Sequence, residues 1–160
     1  MKNTKKILAL ILSAIMLFSV MTTVIVTSAE TNVIYVDANA TTDASAGVYK
    51  TFEEAAAAAT AGTYQAYGTT SKFLSDYSTT TTGGLQISKK YVIVDLNGHT
   101  IDATNRAFYS KGIGILFKNG TINITDTLWY GVYAEQDKTI VENITFNSTA
   151  TKGATSVSIP

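Results

Sequence analysis

The sequence predicts an all-β solenoid, namely a parallel β-helix of about three coils with an N-terminal capping α-helix. Three observations predict it: a motif of nine residues that occurs three times without gaps, a glycine and asparagine column within that motif, and a well-capped helix before it. A fixed period of roughly 20–50 residues is typical of solenoids, because each repeat supplies one coil of a continuous core.

Residues 1–29 are predicted to be a cleaved export signal. Lysines at the start, an apolar run from Ile7 to Val26 and the small residues Thr27 to Ala29 follow one another in the order typical of such signals. The alternative is an uncleaved membrane anchor, since the run approaches the length that spans a bilayer. We expect cleavage, because hydroxyl residues interrupt the run. The protein is then secreted or on the cell surface, and only this segment meets the membrane.

Composition excludes several classes of protein. The chain has 12 basic and 12 acidic residues and no cysteine. Three lysines leave with the signal, so residues 30–160 carry 9 basic against 12 acidic residues, a net charge of about −3, with Arg106 as the single arginine. Nucleic acid is therefore not an expected partner, because binding to phosphates needs clustered Lys and Arg. Without cysteine, burial and backbone pairing must hold the domain together.

Residues 30–62 are predicted to form an N-terminal strand and the capping helix. The strand is the apolar run Val33–Val36, and the helix begins at a capping box in which Thr51 precedes Glu54 by three residues. Four residues with helical spacing form one face for packing, and Gly62 is expected to close the helix in the left-handed conformation. These four are Phe52, Ala55, Ala56 and Ala59.

Residues 63–84 are predicted to be a loop excursion from the solenoid. The hydroxyl-rich and glycine-rich run 78–84 is typical of an exposed loop. Five apolar and aromatic residues indicate that the part before this run packs against the rest of the chain, namely Tyr64, Tyr67, Phe73, Leu74 and Tyr77.

The coils of the β-helix are predicted over residues 85–160. The repeated motif stands at 96–104, 117–125 and 141–149, with offsets of 21 and then 24 residues. Its third position holds residues that enter the left-handed region at low cost, so each coil is expected to turn there. These residues are Gly98, Asn119 and Asn143.

Three strands are expected in each coil. Apolar residues alternate before and after the turn, which indicates strands with one buried face. The alternating residues are Val92, Val94 and Leu96, then Ile101, then Ile115 and Phe117, then Ile122 and Ile124, and Phe146. A third strand is predicted at 131–134, with counterparts near 107–109 and at Val157.

The seventh position of the motif holds Asp102, Asn123 and Asn147. Polar side chains stacked on adjacent coils bond to one another and to the backbone, which stabilises the stack. The alternative is a ladder of ligands for a metal or a sugar, and we favour the structural interpretation.

The stack is expected to be truncated at its C-terminal end, because the chain stops in a predicted strand, 155–159, with no cap after it. An uncovered coil exposes unpaired backbone and apolar core. The chain is therefore expected to be the N-terminal part of a longer protein, with further coils or self-association at that end.

Two stretches carry a resemblance to a known family. Residues 94–101 read VDLNGHTI, and Tyr35-Val36-Asp37 is followed by Thr51-Phe52-Glu53-Glu54-Ala55. In these residues the chain resembles the pectate-lyase-like superfamily, especially large bacterial surface proteins. The resemblance implies a right-handed coil. It is weaker for function, because one fold hosts many activities.

The enzymes of that superfamily cut acidic polysaccharides, and the resemblance therefore implies candidate catalytic residues. Its lyases hold Ca²⁺ with carboxylates and use Arg or Lys as a base, which requires oxygen ligands that converge. The candidate bases are Arg106, Lys111 and Lys118, and the candidate metal ligands are Asp126, Glu135 and Asp137, with Asp102 and Glu142 as further acids. No pair recurs at a spacing that forces convergence. His99 departs from the Gly-His-Gly element of the hydrolases, so we expect an exposed turn residue there.

Aromatic residues around the third strand are the best candidates for binding. Trp129, Tyr130 and Tyr133 surround it, and Tyr109 is expected on the neighbouring coil. Flat aromatic faces stack on sugar rings, and their polar tips bond hydroxyls. The alternative is that these rings only stack on one another between coils.

Three functions follow as expectations. The first is a binding or adhesive module of the bacterial surface that contacts polysaccharide or cell-wall glycan and needs no cofactor. The second is a uronan lyase with possible use of Ca²⁺, whose active site lies largely outside this chain. The third is a purely structural spacer.

Overall fold

The computed structural model describes residues 32–125, 130–149 and 155–158. The predicted export signal, 1–29, lies outside these residues and stays a prediction. In the part of the chain that is described, no helix is both long enough and apolar enough to cross a membrane.

The described residues form a parallel β-solenoid of about three turns. Neighbouring strands run parallel throughout the two sheets. The elements are β1 (Val33–Val36), β2 (Val48–Tyr49), α1 (Phe52–Ala58), β3 (Thr70–Phe73), β4 (Tyr77–Thr79), β5 (Leu85–Ile87), β6 (Ile93–Asp95), β7 (Thr100–Ala103), β8 (Phe108–Ser110), β9 (Leu116–Ile124), β10 (Tyr130–Ala134), β11 (Ile140–Ser148) and β12 (Thr155–Ser158).

The strands form three faces around one core. The first face has the order β2, β1, β3, β6 and then the first halves of β9 and β11. The second face joins β4 and β7 to the second halves of β9 and β11. The third face has the order β5, β8, β10 and β12. From β3 the chain returns to the first face at β6, β9 and β11, so each return completes one turn.

The predicted turn column is confirmed. Gly98, Asn119 and Asn143 have φ values of 84°, 60° and 51°, all in the left-handed region. Each lies between the first and the second face, where the chain must change direction within one or two residues.

The first turn is longer than the motif suggested. Asn97 is also left-handed, with φ of 51°, and the His99 N–H closes this turn on the Leu96 carbonyl at 2.8 Å. The ungapped alignment predicted that Phe117 pairs with Leu96. Because this turn is two residues longer, Phe117 pairs with Val94 instead. After the turn the predicted alignment is correct, with Ile101 beside Ile122.

The alternating apolar residues point into the core, as predicted. Those of β6, β7 and the first half of β9 are fully buried, and Phe146 of β11 is partly buried. The third strand is also confirmed, because Val132 lies beside Phe108 on one side and Val157 on the other.

Helix α1 begins as predicted and ends differently. The Thr51 hydroxyl accepts a bond from the Glu54 N–H, and the Glu54 carboxylate accepts one from the Thr51 N–H. The predicted packing face is buried, since Phe52, Ala55, Ala56 and Ala59 are at most 8% exposed. The helix ends at Ala58 because Ala59 turns into extended backbone, so Gly62 does not provide the expected left-handed cap.

Residues 63–84 are not simply a loop excursion, because they contain β3 and β4. β3 pairs with β1 and β6, and β4 pairs with β7, so the solenoid begins before Leu85. These strands bury Thr70, Ser71 and Thr79, and Ser71 and Thr79 lie beside the buried apolar residues Val94 and Ala103 of the next turn. Threonine and serine are compatible with a β-strand, but they do not produce an alternation of apolar and polar residues. The sequence therefore gave no sign of these two strands.

Candidate functional site

Three of the four predicted aromatic residues gather on the outer surface of the third face. Strands β8 and β10 direct Phe108 and Val132 inward, so the neighbouring residues Tyr109 and Tyr133 point outward. These two lie side by side in register, with ring centroids 5.4 Å apart and an angle of 71° between the rings. The Tyr130 ring lies 5.4 Å from that of Tyr133.

A guanidinium group lies over these rings. The Arg106 Cζ is 4.6 Å from the centroid of Tyr109 and 4.4 Å from that of Tyr133, and it is 6.0 Å from Tyr130. Contacts of this length are cation–π interactions of about 0.5–1 kcal/mol each at exposed sites. We name Arg106, Tyr109, Tyr130 and Tyr133 the tyrosine–arginine cluster.

A second cation and a carboxylate lie at the border of the cluster. The Lys111 Nζ is 4.8 Å from the Tyr109 centroid. Burial raises the pKa of Tyr109, and the hydrogen bond and charge of Glu135 raise it further. The phenol is therefore protonated at neutral pH and donates a hydrogen bond. The arrangement offers aromatic surface, hydroxyl groups and two cations against one carboxylate.

Lys118, another predicted catalytic base, lies on a different face from this cluster. Trp129 and Asp126 lie outside the described residues. The Lys118 Nζ forms an ion pair with the Asp95 Oδ2 at 3.4 Å, at the turn between the first and second faces. Within the described ranges, no three His, Asp or Glu side chains form a group that could hold a metal ion.

The predicted polar ladder forms on the second face. The Asn147 amide donates to the Asn123 Oδ1 at 3.0 Å, and the Asn123 amide donates to the Asp102 Oδ1 at 2.7 Å. These bonds support the interpretation that the column stabilises the stack, because each side chain forms a hydrogen bond with its neighbour on the next coil.

A second ladder was not predicted. The Asn143 amide donates to the Asn119 Oδ1 at 3.4 Å, and the Asn119 amide donates to the Asp95 Oδ1 at 3.2 Å. The turn column therefore has two roles, since its asparagines supply the left-handed backbone and the amide bonds between coils. The 24-residue spacing from Asp95 to Asn119 and from Asn119 to Asn143 was the signal for it.

His99 contacts a carboxylate beside the first turn. The Asp76 Oδ1 lies 3.3 Å from the His99 Nδ1 and accepts the Thr100 N–H at 2.9 Å. The Thr100 bond, followed by His99, lowers the pKa of Asp76 below its usual 3.8. His99 is a half-buried turn residue whose visible role is to hold β7 beside the loop after β3.

We predict that Asp76→Asn lowers stability at neutral pH and has no effect in acid. A carboxyl group whose pKa is depressed by folding contributes fully above its unfolded pKa, here near 3.8. That contribution disappears as the pH falls through the pKa of the folded state, because Asp76 is then protonated in both the folded and the unfolded state. Urea unfolding at neutral pH and at about pH 2 measures both values. A stability difference that persists unchanged in acid would contradict the assignment.

Comparison with known proteins gave no match. No family model, no curated protein and no solved structure is similar to the chain at a significant level. Residues 94–101, which carry much of the family resemblance, form the end of β6, the first turn and the start of β7. They lie on the first and second faces, whereas the tyrosine–arginine cluster lies on the third.

Proposed function

We propose that the chain is a secreted or cell-surface module that binds acidic polysaccharide through the tyrosine–arginine cluster. The single observation that carries this proposal is the guanidinium of Arg106, which lies over the neighbouring rings of Tyr109 and Tyr133. Aromatic rings stack on the apolar faces of sugars, and a guanidinium binds a carboxylate through two parallel hydrogen bonds. Together they fit a sugar ring that bears a carboxylate.

The proposal includes the finer points of the architecture. We propose a right-handed coil, because crossovers between parallel strands are right-handed in about 98% of cases. We also propose that α1 caps the core, since its buried face meets β1, β2 and β5. Membership of the pectate-lyase-like superfamily and export through residues 1–29 rest on the sequence patterns described above.

We predict that Arg106→Gln weakens binding of polygalacturonate by about 10–100-fold, the equivalent of the roughly 1.5–3 kcal/mol of a charged hydrogen bond. The matched control is Lys90→Gln, which removes one positive charge from an exposed site outside the cluster. Isothermal titration calorimetry on the full chain at fixed salt gives both affinities. Equal weakening by the two variants would mean that only net charge matters.

The same titrations separate the other functions. A spacer binds no polysaccharide. A uronan lyase is the second candidate, because two possible bases, Arg106 and Lys111, flank one tyrosine ring. A lyase releases unsaturated uronic products, which absorb in the ultraviolet, when polygalacturonate and Ca²⁺ are added.

A further inference from the structure

A second aromatic site lies at the turns that lead from the third face into the first. It is a groove of about 330 Å³, within the range of roughly 300–1,000 Å³ of small-ligand sites. None of its residues belongs to the tyrosine–arginine cluster. We name it the tyrosine groove, and its lining consists of Tyr64, Tyr67, Tyr91, Gly114, Lys138 and Ile140.

The segment 62–68 carries two of the tyrosines and is fixed at both ends. The Gly62 N–H donates to the Lys90 carbonyl at 2.9 Å, and the Gly68 N–H donates to the Tyr91 carbonyl at 2.8 Å. A Cβ on Gly62 would overlap the backbone nitrogen of Gly68, so the two ends approach as closely as glycine permits. The wall of the groove is therefore preformed, which lowers the entropic cost of binding.

The floor of the groove is a second left-handed column. Tyr91, Gly114 and Lys138 have φ values of 49°, 71° and 64°. This conformation is unfavourable for tyrosine and lysine, and such residues concentrate at binding sites. A Cβ on Gly114 would overlap the ring of Tyr91, so that ring lies directly on the glycine backbone. The result is a flat aromatic floor.

Packing alone does not account for these tyrosines. Tyr64 is 71% exposed, although its ring makes a T-shaped contact with the Tyr91 ring, with centroids 6.4 Å apart, and its centroid lies 4.2 Å from the Lys138 Nζ. An aromatic residue that served only the core would be buried. Several partly exposed rings around one concavity mark a surface for a ligand.

The charges around the groove are balanced. The Lys138 ammonium lies at one side, and Glu142 stands two residues after Ile140 on the same side of β11. Burial, followed by the charge of Glu142, raises the pKa of Tyr67, so this phenol is neutral. The tyrosine–arginine cluster and its border, in contrast, hold the two cations Arg106 and Lys111 against the one carboxylate of Glu135. A neutral ligand with a flat apolar face and several hydroxyl groups is complementary to the groove.

We propose that the tyrosine groove binds a neutral pyranose residue, as a site separate from the tyrosine–arginine cluster. In this proposal the sugar ring stacks on the Tyr91 ring at the floor of the groove. The hydroxyl groups of the sugar form hydrogen bonds with the tyrosine hydroxyls, and the Lys138 ammonium donates a hydrogen bond to a further sugar oxygen. This goes beyond the proposed function, because the site, the ligand class and the residues all differ.

The test is calorimetric titration of the full chain with neutral cello-, manno- and N-acetylglucosamine oligosaccharides. We expect saturable binding of at least one of them and about tenfold weaker binding by Tyr64→Ala, the loss typical of one aromatic contact. Leu74→Ala is the matched control, because Leu74 is 43% exposed and lies outside the groove. It should bind like the unaltered chain.

Two further titrations keep this proposal distinct from the proposed function. Arg106→Gln should retain the neutral oligosaccharide, and Tyr64→Ala should retain polygalacturonate. The proposal is overturned if no neutral oligosaccharide saturates the unaltered chain, if Tyr64→Ala binds it as before, or if Tyr64→Ala loses both ligands. If the unaltered chain bound a neutral oligosaccharide but no polygalacturonate, that result would count only against the proposed function.

Discussion

Replacement of Phe52 by alanine is expected to lower the free energy of unfolding by about 3–5 kcal/mol. The Phe52 side chain is fully buried, its ring stacks on Phe73 at 5.9 Å, and it meets Phe108 edge-on at 5.5 Å. Phe52 is the first residue of α1, while Phe73 and Phe108 belong to the first and third faces. Its truncation would leave a cavity where the helix and both faces meet.

Urea unfolding followed by circular dichroism measures this loss. Phe52→Leu keeps most of the apolar volume and is expected to cost less than about 1.5 kcal/mol. Leu74→Ala removes an exposed apolar side chain and is expected to stay within about 0.5 kcal/mol of the unaltered chain. If Phe52→Ala were as stable as Leu74→Ala, the docking of α1 would contribute nothing to the solenoid.

The periodic parts of the fold were predictable because a solenoid places equivalent residues at equivalent positions. The turn residues Asn119 and Asn143 identified the left-handed column, and Tyr109 and Tyr133 were expected on adjacent coils for the same reason. In-register stacking converts a sequence offset directly into a spatial contact. The seventh position of the motif predicted its ladder in the same way.

The aperiodic parts were not predictable from that pattern. Strands β3 and β4 are rich in threonine and serine, so no apolar alternation announces them. The two extra residues at Asn97 and Gly98 are invisible in an alignment without gaps, because the apolar residue at Leu96 fits either register. Tyr91 and Lys138 are left-handed although neither residue type favours that conformation, so the tyrosine groove had no composition signal.

The position of Arg106 over the tyrosine rings also depended on tertiary structure. The family resemblance implied a candidate base, which stays a prediction, and it gave no indication that the guanidinium lies over the rings of Tyr109 and Tyr133. Arg106 lies in the short connection before β8, and no period relates such a residue to the next coil. The direction of the Arg106 side chain depends on the path of this connection, which runs from the second face to the third.

Asn119→Ala is expected to lower the free energy of unfolding by about 2–4 kcal/mol, as the sum of two effects. Asn119 has φ of 60°, a conformation that costs an alanine about 1–2 kcal/mol. Its amide donates to Asp95 at 3.2 Å and its carbonyl oxygen accepts from Asn143 at 3.4 Å. Each such bond contributes roughly 0.5–1.5 kcal/mol, with the longer one at the low end.

Two companion variants separate the backbone effect from the ladder. Asn119→Gly keeps the left-handed turn and loses only the side-chain bonds, so it should cost about 1–2 kcal/mol. Asn123→Ala breaks the other ladder at a position whose backbone is not left-handed, and it should cost about the same. In urea unfolding, the gap between Asn119→Ala and Asn119→Gly then measures the turn conformation alone. Equal stabilities for these two would show that the column matters only for its hydrogen bonds, because glycine and alanine differ here chiefly in the cost of positive φ.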